Sequence, residues 1–237
     1  MNREILNPVA SVIAQNMEEY ADKTAVKIKG EEISYAILDK IANDIFDKLT
    51  NAINQAQDSS NHAFSHDIKV GVYLPRDRYL IPAIWAIIKA GYTYVPLDTE
   101  TPIERLKFIV KDCGVTVVLC ENYFIGILDD VLTVDVLSTP NYIQKGKAIS
   151  EKVNEIAYVI YTSGTTGKPK GVPISYYSLS NLLQVVSLPE NFNISEKAII
   201  LCFASINFDA SILDIMASLY YGATIILADE DQRRDIK

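Results

Sequence analysis

From Ile68 onward the chain alternates short apolar runs with longer amphipathic segments, and this rhythm limits the fold more than any other feature. Ile68–Leu74, Tyr92–Leu97, Val115–Cys120, Val131–Val136, Ala198–Phe203 and Ala223–Ala228 read as buried strands. Between them, Arg78–Ala90, Thr101 to about Asp112, Ser175–Val186 and Phe208–Tyr220 read as helices. Gly91 and Gly222 stand where a helix closes on a left-handed residue. Thr101-Pro102-Ile103-Glu104 has the form of a capping box with proline at the first helical position. Strands alternating with helices of this length predict an α/β fold whose stacked sheets are largely parallel and flanked by helices.

The N-terminal part is simpler. Asn7-Pro8 followed by Val9, Val12, Ile13 and Met17 predicts an amphipathic helix, and Ala25–Lys29 with Gly30-Glu31 and Glu32-Ile33 a hairpin. Ser34 can cap a second helix with an apolar face of Ile37, Leu38, Ile41, Ala42, Ile45, Phe46 and Leu49. Residues 51–67 are poor in apolar side chains and read as a polar linker loop. Both histidines, His62 and His66, fall in that segment, which makes them solvated loop residues and argues against zinc or histidine-based hydrolysis.

Charge excludes another class. The net charge is −8 over 237 residues, and no run of lysine or arginine is long enough to track a nucleic-acid backbone. An anionic ligand must therefore be held by local donors. Cys113, Cys120 and Cys202 lie in apolar contexts without a C-x-x-C spacing and read as small buried hydrophobes of a reducing compartment. The first residues lack the apolar stretch of a signal peptide, and the longest apolar run, Leu80 to Ile88, is far too short for a membrane span. These features predict a cytoplasmic protein that engages neither nucleic acid nor membrane.

The chemistry-bearing segment is Tyr158–Gly171. An apolar strand, Ala157 to Tyr161, feeds a loop in which Thr162–Gly171 holds three glycines, four hydroxyl residues and two lysines. Glycines let backbone N–H groups approach an anion, and hydroxyl and ammonium groups add donors, a set suited to a polyphosphate. It is not a Walker loop. Two residues, not four, separate Gly164 from Gly167, and Pro169 after Lys168 disfavours a helix there. The loop is instead expected to run into a second extended segment, Gly171–Ile174. Composition alone leaves a flexible hairpin open as well; the two lysines and the absence of Asn or Asp lean toward an anion.

Taken with three further stretches in the same order, the loop resembles the signature of adenylate-forming enzymes. That superfamily contains nonribosomal peptide synthetase adenylation domains, acyl-CoA synthetases and firefly luciferase. Ile33–Leu38 is similar to the family's Thr-Tyr-x-Glu-Leu element, with Ile37 in place of the glutamate. Ile88–Asp98, followed by Pro102 and Arg105, is similar to the adenylation core sequence. Phe208-Asp209-Ala210-Ser211 resembles the Phe-Asp-x-Ser element at one wall of an amino-acid pocket. The resemblance covers residues 1–237 and implies the front part of the large N-terminal adenylation domain.

The resemblance implies a ligase that joins an amino acid to AMP at the expense of ATP, then passes the aminoacyl group to phosphopantetheine on a peptidyl carrier protein. It assigns Thr162, Ser163, Gly164, Thr165, Thr166, Gly167 and Lys168, with Lys170, to the phosphates. It makes Asp209 the partner of the substrate ammonium, where the residues alone would make it a helix cap. Ala210 and Leu213 would line the side-chain pocket, and Asp214 would be a solvated or capping residue. The magnesium ligand, the catalytic lysine and the small C-terminal domain are expected beyond Lys237, so no catalytic or metal residue is assigned within the chain. The 237-residue chain alone is expected to be inactive without the missing half of the enzyme. A D-alanine–carrier-protein ligase or an acyl-CoA ligase remains open within the family, Asp209 counting against the latter. A non-catalytic nucleotide-binding or interaction module remains open outside it.

Overall fold

The structure, a computed structural model, describes residues 7–59, 67–122, 128, 131–138, 149–150, 153–163, 169–188 and 191–234. Helix α1 (Pro8–Glu19) starts where Asn7 accepts the Ala10 amide on its side chain, with Pro8 in the first turn. The hairpin β1 (Thr24–Ile28) and β2 (Glu31–Ser34) follows, then α2 (Tyr35–Ser59). Strands β3 (Lys69–Tyr73), β4 (Thr93–Pro96), β5 (Val117–Cys120) and β6 (Leu132–Asp135) come next, with α3 (Leu80–Lys89) and α4 (Ile103–Cys113) interposed. The remainder is β7 (Ile156–Ser163), β8 (Pro169–Ser175), α5 (Tyr176–Val186), β9 (Ile199–Cys202), α6 (Asp209–Tyr220), β10 (Thr224–Leu227) and α7 (Glu230–Arg234).

These strands form two sheets, in the orders β2-β1-β10-β9 and β6-β5-β3-β4-β7-β8. All neighbours pair in parallel except the two hairpins, β1–β2 and β7–β8. The larger sheet is covered on both faces, as a parallel sheet requires. Alternate residues Val70, Val72, Val117 and Leu119 join the main core, while Tyr73, Val95, Val118 and Cys120 join a second core with Leu106 and Ile109 of α4. Helix α3 is buried along its whole length, so its apolar residues surround the axis instead of forming one stripe. Its Trp85 is fully buried and donates its indole N–H to Asp39 of α2 at 2.9 Å. The smaller sheet buries Val26, Ile28, Ile225 and Leu227, yet Ile199 and Leu201 on the other side of β9 are 64% and 57% exposed.

Three readings change. The linker expected over 51–67 is helix as far as Ser59, because Ala52 and Ile53 continue the apolar face of α2 onto the main core. Residues 60–66, with His62 and His66, lie outside the described residues. Ile37 is exposed and drops out of the second helix's buried face, which begins instead at the fully buried Tyr35. The capping box does not form: Pro102 itself occupies the cap position with extended ψ, and no side chain caps α4. Thr101 is engaged elsewhere, its amide donating to Asp98 O at 2.9 Å and its hydroxyl facing the Asn207 amide at 3.4 Å. Gly91 and Gly222 close their helices with φ of +70° and +68°, as the sequence implies.

Candidate active-site rim

In a parallel α/β sheet the loops leaving the carboxyl ends of the strands converge on one rim, where ligands bind. Here the rim receives Leu74–Asp77 after β3, Leu97–Thr101 after β4, the β7–β8 connection, and Phe203–Phe208 after β9.

Strands β7 and β8 pair from Ile156↔Ser175 through Thr162↔Lys170 to Ser163↔Pro169, so the two strands form the stem of an antiparallel hairpin. This is the strand–loop–strand arrangement that Pro169 implies. Thr162 and Lys170 face each other in register at the stem and are exposed. Gly164, Thr165, Thr166, Gly167 and Lys168 lie outside the described residues. One turn down the stem, the Tyr161 ring covers Gly171 so closely that a Cβ there would come within 3.0 Å of it. The Tyr161 hydroxyl donates to Asp112 of α4 at 2.7 Å. Burial raises the Tyr161 phenol above its ordinary range and the Asp112 carboxylate raises it further, so it stays a donor. Sequence reading treated Tyr161 as a strand residue and missed this anchor; a tyrosine beside a cradle glycine was the available signal.

Asp209 is the first residue of α6, and Phe208 ahead of it caps without any side-chain hydrogen bond. The carboxylate is therefore not a cap, although the first-turn position favours its charge by about 0.3–1 kcal/mol. It is exposed, as is Ala210, while Leu213, one turn along, is half-buried against the main core. The charge of Asp209 is felt at Tyr158 of β7: burial pushes the Tyr158 phenol up and the Asp209 carboxylate adds to the shift. Tyr158 is five residues before the end of β7, a span of about 16 Å.

Asp214 lies inside α6, away from its cap, and is only partly solvated. It is half-buried, and burial raises its carboxyl while nearby Arg76 opposes the rise. Arg76 was not singled out in the sequence, yet it is buried and its fork reaches three main-chain oxygens: Nε to Ala228 at 2.6 Å, Nη1 to Ala204 at 2.9 Å and Nη2 to Cys202. Next to it, the Ser205 hydroxyl donates to the buried carboxylate of Asp98 at 2.7 Å. Asp77 accepts the Tyr79 amide at 2.8 Å, and its carboxyl is pushed up to about 6 by burial, with Glu121 adding to the shift. The three thiols are raised by burial and form no disulfide.

The sequence profile of the AMP-binding enzyme family matches residues 13–237, and the chain belongs to that family. Tyrocidine synthase 3 of Brevibacillus parabrevis is 31% identical over 228 residues, which take in 92% of this chain and 3% of the relative. A four-domain nonribosomal peptide synthetase solved with AMP and glycine has a TM-score of 0.74 and 26% identity over 97% of this chain and 16% of its own. The N-terminal subdomain of Klebsiella oxytoca NpsA has a TM-score of 0.77 at 21% identity, a likeness of fold, over 93% of this chain and 53% of its own. The chain therefore spans a small part of the synthetases and about half of that subdomain. No helix among the described residues is long and apolar enough to cross a membrane.

Proposed function

We propose that the chain supplies the phosphate loop and the ammonium site of a cytoplasmic adenylation domain that activates an amino acid. In this reading a substrate carboxylate oxygen attacks the α-phosphorus of ATP, the bond from that phosphorus to the bridging oxygen breaks, and pyrophosphate leaves. A carrier-protein phosphopantetheine thiol then takes the acyl group and AMP departs. Positioning and charge neutralisation dominate such chemistry. Thr162, Ser163, Gly164, Thr165, Thr166, Gly167 and Lys168, with Lys170 on the stem, would hold the β- and γ-phosphates. Asp209 would pair with the substrate ammonium, beside Ala210 and Leu213. Magnesium and the catalytic lysine would come with polypeptide outside these residues, so turnover is proposed for the whole domain and not for this chain alone.

The observation that supports the reading is the placement of Asp209. It is an exposed carboxylate without a capping role, at the first position of the helix that follows the rim loop Phe203–Phe208, and its charge is felt at Tyr158 of the strand that carries the hairpin. The test uses the 237-residue chain and limited proteolysis at 162–171. Saturating ATP or pyrophosphate is expected to slow cleavage in the native chain and to lose that effect in Lys168→Ala. Equal cleavage with and without nucleotide would refute the phosphate assignment.

A further inference from the structure

Phe203–Phe208 delivers Asp209, and it is held from several sides by groups that belong to other elements. Arg76 leaves the carboxyl end of β3 in the larger sheet and crosses to the smaller one. There its three donors meet carbonyl groups of Cys202 at the end of β9, Ala204 in the loop, and Ala228 just after β10. The Cys202 carbonyl also accepts the Ala228 amide at 3.2 Å, but those of Ala204 and Ala228 lie past the strand ends, where ladder partners are lost and an unpaired carbonyl is costly. A planar guanidinium satisfies three at once in fixed directions; an ammonium on a flexible stem cannot hold all three in that geometry. One residue beyond Ala204, Ser205 donates to Asp98, which leaves β4 of the larger sheet. The Phe203 carbonyl accepts from Arg233 at 3.0 Å, and Asn207 faces Thr101. Even with the Asp214 carboxylate nearby, burying a charged arginine on main-chain carbonyls is a poor device for stability alone, since desolvation offsets most of the gain. It is a good device for fixing where a loop sits.

We infer that Arg76, together with the Asp98–Ser205 hydrogen bond, is a positioning device that locks Phe203–Asp209 to the larger sheet and so sets the Asp209 carboxylate relative to the phosphate hairpin. This rests on the reading of Asp209 as the ammonium partner. Arg76 and Asp98 touch no substrate in this scheme; they act through Asp209.

The test needs no ligand, so it separates the two claims. Amide hydrogen exchange of the full 237-residue chain is followed by mass spectrometry in Arg76→Lys and Ser205→Ala. In each variant, exchange across 203–209 is expected to rise at least about tenfold, equivalent to about 1.4 kcal/mol of local opening, while β3 and β5 keep their protection. A merely structural role would instead lower protection throughout. The second readout is the ring resonance of Tyr158 in tyrosine-labelled protein, assigned with Tyr158→Phe. It should shift in Arg76→Lys toward its position in Asp209→Asn. Unchanged exchange over 203–209 in both variants, or a Tyr158 resonance indifferent to Arg76, would overturn the inference. Should Arg76→Lys fail to fold, Ser205→Ala decides by the same two readouts. Loss of amino-acid recognition with the exchange result intact would remove the ammonium reading and leave the clamp.

Discussion

Asp77 gives the sharpest test of the electrostatics. Its carboxyl is pushed from 3.8 up to about 6, first by burial and then by Glu121, against the opposing amides of Tyr79 and Leu80. A folded pKa above the unfolded one means that the native state binds the proton more tightly. The stability it contributes is therefore complete below about 3.8 and is lost as pH rises through about 6. The shift is roughly two units, and at about 1.36 kcal/mol per unit the ceiling is near 3 kcal/mol. The side chain is only half-buried, so solvent screening brings the expected value to about 1–2 kcal/mol. Asp77→Asn removes the charge and keeps the Oδ1 acceptor of the Tyr79 amide. Denaturant unfolding should find the variant more stable by about 1–2 kcal/mol at pH 8 and nearly equal to the native chain at pH 4. The native-minus-variant difference isolates this carboxyl from every other titration. A difference that stays flat from pH 4 to pH 8, or that reverses sign, would refute burial as the cause.

Three other substitutions probe packing and the proposed site. Gly222→Ala places a Cβ 2.4 Å from the Tyr20 ring at a φ of +68°, and should cost about 3 kcal/mol in chemical denaturation from strain and overpacking together. Trp85→Ala empties the centre of the main core and strands its hydrogen bond to Asp39, for an expected loss of about 3–5 kcal/mol in the same measurement. In the whole adenylation domain, Asp209→Asn should cut amino-acid-dependent exchange of pyrophosphate into ATP by about a hundredfold, matching about 3 kcal/mol for a lost charge partner. Retained exchange in that variant would return Asp209 to a helix-dipole role.

Much of the architecture was legible because the signals are local. Apolar runs marked the parallel strands, Gly91 and Gly222 marked helix ends, and Pro169 marked a second extended segment in place of a Walker helix. The errors arose where distant partners compete for a residue. Thr101 looks like a helix cap until Asp98 and Asn207 engage it. The tail of α2 looks like a linker until the core accepts Ala52 and Ile53.

The order of elements, the hairpin bearing the Gly/Thr/Lys segment and the family could all be read along the chain, since propensity, periodicity and motif spacing are carried by neighbours in sequence. Three-dimensional packing was needed to let the charge of Asp209 be felt at Tyr158 on the strand to that hairpin and that of Arg76 at Asp214, and to let Arg76 and Asp98 grip the loop between them. Those pairs are separated by tens to more than a hundred positions, and their energy exists only once two sheets bring buried charges and unpaired carbonyls to a common rim.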